Sequence, residues 1–233
     1  MKILLIADIH ANLEALQTVL EVPHDRVICL GDIVDYGPDP DKCIELLRKK
    51  NIPTLRGNHD NAVAFKVDCQ CGYRYKHLSI ATREYTWGVL DQSQMEYLQK
   101  LPLVVREEID GKKLFLTHAS PRSIFEYIKP ETPDEAIMAM LTDPMEPVDA
   151  EFLVVGHSHI PMIRELGALK IINPGSVGQP RDGDTRAGCA VFDTETGETE
   201  LLRLEYDLEA VCAKIEERMP HADELAGILK RGY

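Results

Sequence analysis

Five short apolar runs in this chain each end in a polar cluster. Ile3-Leu4-Leu5-Ile6 leads to Asp8 and His10, and Val27-Ile28-Cys29-Leu30 leads to Gly31-Asp32. Ile52-Pro53-Thr54-Leu55 leads to Gly57-Asn58-His59-Asp60. Leu114-Phe115-Leu116 leads to Thr117-His118, and Phe152-Leu153-Val154-Val155 leads to Gly156-His157-Ser158-His159. Bounded apolar runs of this length read as buried strands. Five strands therefore bring carboxylate, imidazole and amide groups to one sheet edge, where open α/β sheets place their ligands.

Between these runs the pattern is helical. Asn12 is the expected N-cap of a helix with Leu13, Leu16, Val19 and Leu20 on one face. Asp39 and Pro40 open a second helix that ends in Arg48, Lys49 and Lys50. With Ile52–Leu55 as a third strand, the order is β-α-β-α-β, which implies parallel pairing. Residues from about 61 to 101 break that rhythm, with helical patterns over 78–90 and 91–100. They read as a helical cap inserted into one domain spanning 1–233. Hairpins are expected at Asp110-Gly111, Gly167-Ala168 and Thr194–Gly197. Thr132-Pro133-Asp134-Glu135 should start a helix reaching about Leu141, and a helical tail should begin at Leu208. Asn173 to Gly183 is a long Gly/Pro-rich loop of the kind that is usually functional.

The 233 residues are 44% hydrophobic, enough for a core without staples. The net charge of −13 repels polyanions and disfavours a nucleic-acid polymer as partner. Bound cations would offset part of it. Cys29, Cys43, Cys189 and Cys212 fall in expected strands and helices and read as small buried hydrophobes. With no secretory or membrane-spanning run, a reducing cytoplasm is expected. Cys69-Gln70-Cys71 has a spacing that can bind zinc, but no second Cys pair stands nearby, which disfavours that reading.

The clustered residues are ligands for divalent transition metals. Asp8 and His10 are two apart, as are His157 and His159, so on extended strands each pair would share a face. Asp8, His10, Asp32, Asn58, His118, His157 and His159 are enough for two ions, with Asp32 placed to bridge through its two oxygens. Two adjacent cations lower the pKa of a shared water and clamp the oxygens of an in-line displacement, which suits phosphoester hydrolysis. His59 would then face the substrate as a general acid or charge stabiliser. Asp60 suits either an orienting role or a helix cap. His24, His77 and His221 fit no cluster.

Asp8-x-His10, Gly31-Asp32, Gly57-Asn58-His59-Asp60, Thr117-His118 and Gly156-His157-x-His159, in this order, resemble the calcineurin-like metallophosphoesterase superfamily. The Asn173–Gly183 loop further resembles a bacterial and archaeal subgroup of small phosphodiesterases and phosphatases, some of them diadenosine tetraphosphatase-like. The resemblance implies a four-layer α/β/β/α sandwich of two mixed sheets. It assigns Asp8, His10, Asp32 and His159 to one metal, and Asp32, Asn58, His118 and His157 to the other. It makes His59 the catalytic histidine, oriented by Asp35. The protein-phosphatase branch carries an Arg where this chain has Tyr36, and Arg181 is the candidate substitute for binding phosphate beside Asn58. Position 11 is Ala where relatives often carry Gly.

The expected function is a cytoplasmic hydrolase of a small phosphodiester or phosphomonoester, with a nucleotide among the candidates. It would act by in-line attack of a metal-bridging hydroxide. The metals would be Mn²⁺ or Fe, with Zn²⁺ or Ni²⁺ as alternatives. The competing readings are a metal-binding scaffold for protein partners and a nuclease. Oligomeric state is left open.

Overall fold

The computed structural model describes residues 1–72 and 75–233; residues 73 and 74, inside the expected cap, lie outside the described residues. Its strands are β1 (Lys2–Ile6), β2 (Arg26–Cys29), β3 (Val104–Ile109), β4 (Lys112–Thr117), β5 (Phe152–Val154), β6 (Met162–Leu166), β7 (Leu169–Asn173), β8 (Ala187–Asp193) and β9 (Thr199–Leu204). Its helices are α1 (Leu13–Val19), α2 (Pro40–Lys49), α3 (Asn58–Phe65), α4 (Lys76–Val89), α5 (Gln92–Lys100), α6 (Asp134–Thr142), α7 (Leu208–Arg218) and α8 (Ala222–Arg231).

The strands form two mixed sheets, β2-β1-β8-β9 and β3-β4-β5-β7-β6. β1 pairs parallel with β2 and antiparallel with β8, so the parallel start predicted from the β-α order holds on one side only. Alternation along the strands builds the layers. Ile3 and Leu5 point inward to Leu114, Leu116, Val154 and Phe192, filling the space between the sheets. Leu4 and Ile6 point outward to Leu16, Val19, Ile44 and Leu47 of α1 and α2. Phe115 and Leu153 pack outward on Ile137 and Met140 of α6. Helix, sheet, sheet and helix follow one another, as the family resemblance implied. Each fully buried Leu, Ile or Phe contributes about 1.5–3 kcal/mol to this arrangement.

Several local expectations are corrected. Ile52–Leu55 forms one parallel bridge, Cys29 with Thr54, rather than a strand. Pro53 lacks an N–H, so its carbonyl alone serves the ladder, accepting from Cys29. Asp39 is the N-cap of α2 but makes no capping bond; its carboxylate binds Lys42 and Lys214 instead. Pro133, not Thr132, caps α6, and Thr132 Oγ1 accepts from Lys129 N. The C-terminal tail is two helices, broken where His221 adopts φ 53 after Pro220. The segment read as a cap carries α4 and α5. Trp87 and Leu98 pack on the main core, and Leu78 packs with α7 and α8. The three hairpin turns fall where expected, with Gly111, Gly167 and Gly197 all at positive φ.

Candidate metal centre

The polar clusters do not continue their strands. Asp8, His10, Asp32, His157 and His159 all have positive φ, between 44 and 64. The shared-face argument for Asp8 with His10, and for His157 with His159, therefore fails: an abrupt left-handed turn, not an extended strand, aims each side chain. Ala11 shares this conformation at φ 52, which a glycine would adopt without strain.

The turns gather the predicted residues into two buried groups. Asp8, His10 and His159 offer ligand atoms within 4.8 Å of one another, and Asp32, His118 and His157 do the same. His157 and His159 thus go to different groups. Asn58 joins the second, with Oδ1 3.2 Å from His118 Nε2. Asn58 Nδ2 donates to the Cys69 carbonyl at 2.7 Å, which fixes Oδ1 as the inward atom.

Each of the four histidines in these groups has one ring nitrogen held by a backbone carbonyl. His10 Nδ1 donates to Val34 O at 2.9 Å, His118 Nδ1 to Leu30 O at 2.9 Å and His159 Nδ1 to Gln179 O at 2.5 Å. His157 uses Nε2, donating to Phe125 O at 3.3 Å. Such bonds fix the tautomer and leave the other nitrogen a lone pair, the usual arrangement of a metal-ligating imidazole. His10 Nε2 and His159 Nε2 face each other at 3.2 Å. Two lone pairs so close need a positive charge between or beside them.

Asp32 does not present both oxygens. Oδ1 accepts the His59 backbone N–H at 2.8 Å. Oδ2 has no aligned donor and lies 3.2 Å from His118 Nε2 and 3.8 Å from His10 Nε2. The expected bridge thus reduces to one oxygen facing both groups. Gly57 permits it: a Cβ there would sit 2.0 Å from Asp32 Oδ1. Asp60 combines the two roles left open for it. Its carboxylate accepts the N–H groups of Asp32, Ile33 and Gly57 at 2.8–3.0 Å, fixing the loop while capping α3.

The electrostatics of this pocket call for cations. Burial lifts the Asp8 carboxyl to about 7, against the opposing pull of His118. Burial alone would lower His118, but Asp32 outweighs it and pulls the imidazole up to about 9, a measure of the negative charge that surrounds it. Burial holds His10 down near 3, and His157 and His159 well below their ordinary value, as neutral ligands. The donor set of carboxylate, imidazole and amide oxygen fits two divalent ions.

His59 and Asp35 form a buried pair beside the two groups, His59 Nδ1 to Asp35 Oδ2 at 2.8 Å. Tyr36 packs against both His10 and His59, its ring 4.9 Å from each, while those two rings meet edge-on at 5.1 Å. Arg181 reaches this side of the site. Its guanidinium lies over Tyr36 at 5.8 Å and Tyr75 at 4.7 Å, and binds Gln179. Sequence reasoning missed Tyr127, whose ring stacks on His157 at 3.9 Å. It lies in an irregular Pro-bounded stretch without periodicity, so no signal marked it. Cys69 and Cys71 were set aside for want of partners, yet they lie beside His59.

Residues 1–197 match the calcineurin-like phosphoesterase superfamily domain. The chain belongs to the calcineurin-like phosphoesterase superfamily. It is 37% identical to the uncharacterized protein MJ0912 of Methanocaldococcus jannaschii, over 94% of this chain and 93% of that one. The crystal structure of a metallophosphoesterase from Sphaerobacter thermophilus superposes with a TM-score of 0.82 at 32% identity, covering 100% and 99% of the two chains. Phosphodiesterase YfcE of Escherichia coli is 27% identical, over 79% of this chain and 83% of that one. This superfamily member is a mixed α/β protein whose clustered His and Asp residues could hold metals. Among the described residues no helix is long and apolar enough to cross a membrane.

Proposed function

We propose that the chain hydrolyses a small phosphodiester or phosphomonoester with two divalent ions, Mn²⁺ or Fe, Zn²⁺ or Ni²⁺ being the alternatives. The observation that carries this reading is Asp32 Oδ2, buried, without an aligned donor, and facing both His10 and His118. Asp8, His10 and His159 would hold one ion, Asn58, His118 and His157 the other, with Asp32 common to both. When bound, the ions supply Lewis acidity to the phosphate oxygens and lower the pKa of the attacking water.

The chain's own residues supply the rest. His59 Nε2, left free by the Asp35 bond, delivers a proton to the leaving oxygen. Asp35 holds that ring in orientation. Asn58 borders the reacting phosphate as well as its ion. Arg181, stacked over Tyr36, supplies the guanidinium that position 36 lacks and anchors phosphate oxygens. Beside Arg181 a cavity of about 330 Å³ is lined by Tyr75, Tyr127, Lys129 and Ser158. Aromatic faces with two cations suit a nucleotide, base against ring and phosphate toward the metals. The helical segment around 61–101 closes one side of the site as its cap. Six free thiols support a reducing cytoplasm as the place of action.

The test is metal content of the purified protein, with turnover of bis-p-nitrophenyl phosphate and p-nitrophenyl phosphate in added Mn²⁺. About two ions per chain and EDTA-sensitive turnover are expected. Metal-free protein inert toward both esters and toward dinucleoside polyphosphates would overturn the reading.

A further inference from the structure

The segment between α3 and α4 sets two thiols against the catalytic face of the site. Cys69 Sγ, Cys71 Sγ and a ring nitrogen of His59 lie within 4.8 Å of one another. Cys69 and His59 are buried, and Cys71 is half-buried. The thiols are already organised. Both donate to Ser79 Oγ, Cys69 at 3.5 Å and Cys71 at 3.1 Å, and the Cys71 backbone N–H points to Cys69 Sγ at 3.4 Å. The Cys69 carbonyl accepts from Asn58 Nδ2 at 2.7 Å, which joins the pair to the second group of candidate ligands. Tyr36, 3% exposed and beside His59, carries a buried hydroxyl that faces Cys71 and has no aligned hydrogen-bond partner.

We propose that His59, Cys69 and Cys71 form a separate site for one thiophilic divalent cation of the Zn²⁺ or Cd²⁺ class, and that its occupancy shuts off turnover. Two sulfurs and one imidazole are a soft donor set. It differs from the oxygen-rich pair of groups that surrounds Asp32, and therefore selects a different ion from Mn²⁺. Because Asp35 holds His59 Nδ1, Nε2 is the nitrogen available, and carboxylate, imidazole and metal fall in the sequence usual for a histidine ligand. A tetrahedral ion with bonds of about 2.0–2.3 Å holds its donors about 3.3–3.8 Å apart, so a closure on the order of 1 Å completes the site. Water or the hydroxyl of Tyr36 would take the fourth position. Binding releases the two thiol protons to solvent and occupies the His59 nitrogen that would serve the leaving group. The loss of turnover rests on the role proposed for His59; the binding does not.

The experiment is a Cd²⁺ titration of the Mn²⁺-loaded protein. Ultraviolet thiolate-to-metal charge-transfer absorption, bound Mn²⁺ and bis-p-nitrophenyl phosphate hydrolysis are followed together. One equivalent of Cd²⁺ should raise the absorption, leave Mn²⁺ in place and abolish turnover. The Cys69→Ser, Cys71→Ser double variant, or Cys71→Ser alone should the double variant not fold, keeps its Cd²⁺-free turnover. It gives no such absorption and needs at least about tenfold more Cd²⁺ for inhibition. His59→Ala should weaken the absorbing complex by about tenfold, a readout that needs no activity. Absence of the absorption in the natural chain overturns the site. So does equal sensitivity of the cysteine variants, or inhibition that tracks Mn²⁺ release. Absorption without loss of turnover overturns the switch.

Discussion

His59 Nδ1 lies 2.8 Å from Asp35 Oδ2, with both side chains almost wholly buried. Burial alone would lower the imidazole, but Asp32 and Asp35 outweigh it and raise His59 above its ordinary value. A histidine that must give up a proton works below its pKa, so turnover should fall as pH rises through it. Asp35→Asn removes one of the raising interactions. We expect kcat to drop about 10- to 100-fold with KM little changed, and the alkaline limb of the pH profile to move to lower pH. A lowered kcat with the limb unmoved would show that Asp35 acts on packing rather than on the proton.

Removing the imidazole itself separates chemistry from metal binding. His59→Ala should retain both ions and lose about 10²–10⁴-fold in turnover. Asp32→Asn should instead weaken both ions, because its Oδ2 faces both groups. Metal analysis beside activity distinguishes the two variants. Loss of metal from His59→Ala would sink the division of roles.

The sequence showed which residues would meet and misjudged how. Strand-end placement and residue type were enough to gather the seven candidate ligands, because apolar runs report burial directly. The local geometry was not legible. Left-handed turns at Asp8, His10, His157 and His159 leave no pattern in side-chain chemistry when the residue is not glycine. Asp32 was read as offering two oxygens, and the His59 backbone N–H that claims one depends on a chain reversal 27 residues away. Tyr127 and the partner of the cysteine pair depend on tertiary packing of irregular segments, where periodicity says nothing.

Gly57 makes a prediction out of that geometry. Its backbone, φ −82, is open to any residue, so only contact forbids a side chain. A Cβ would stand 2.0 Å from Asp32 Oδ1 and 2.4 Å from Asp32 N. Gly57→Ala should therefore displace the Asp32 carboxylate and weaken metal binding by about tenfold or more, while the fold remains. Titration calorimetry with Mn²⁺ and circular dichroism check the two halves. Unchanged affinity would mean that the loop yields and that Asp32 is not held by this contact.

Arg181 should act on binding rather than on chemistry. It lies over Tyr36 and Tyr75 beside the cavity, and its guanidinium lowers the carboxyl of Asp8 only as a secondary influence after burial and His118. Losing a charge-assisted contact to phosphate should raise KM about 10- to 100-fold in Arg181→Ala, with kcat little affected. Steady-state kinetics on the diester decide it. A fall in kcat at constant KM would place Arg181 at the transition state instead.

Asp39 links the start of α2 to α7. Its buried carboxylate accepts from Lys42 at 2.7 Å and Lys214 at 2.6 Å, with Arg218 at 3.4 Å. Burial alone would raise it, but the bonds from Lys214 and Lys42 hold the carboxyl below its ordinary value. Lys42 and Arg218 are partly solvated, which screens their share. Asp39→Asn should therefore cost about 1–2 kcal/mol near neutrality. A carboxyl with a depressed folded pKa contributes stability above its unfolded value of about 3.9, and loses it as pH falls through the folded one. Urea unfolding of both proteins should show a constant gap from pH 7 to about 5, closing at about pH 4 and below. A gap that widened on acidification would mean that Asp39 is protonated in the folded chain and serves as a neutral hydrogen-bonding group rather than as the anchor of three cations.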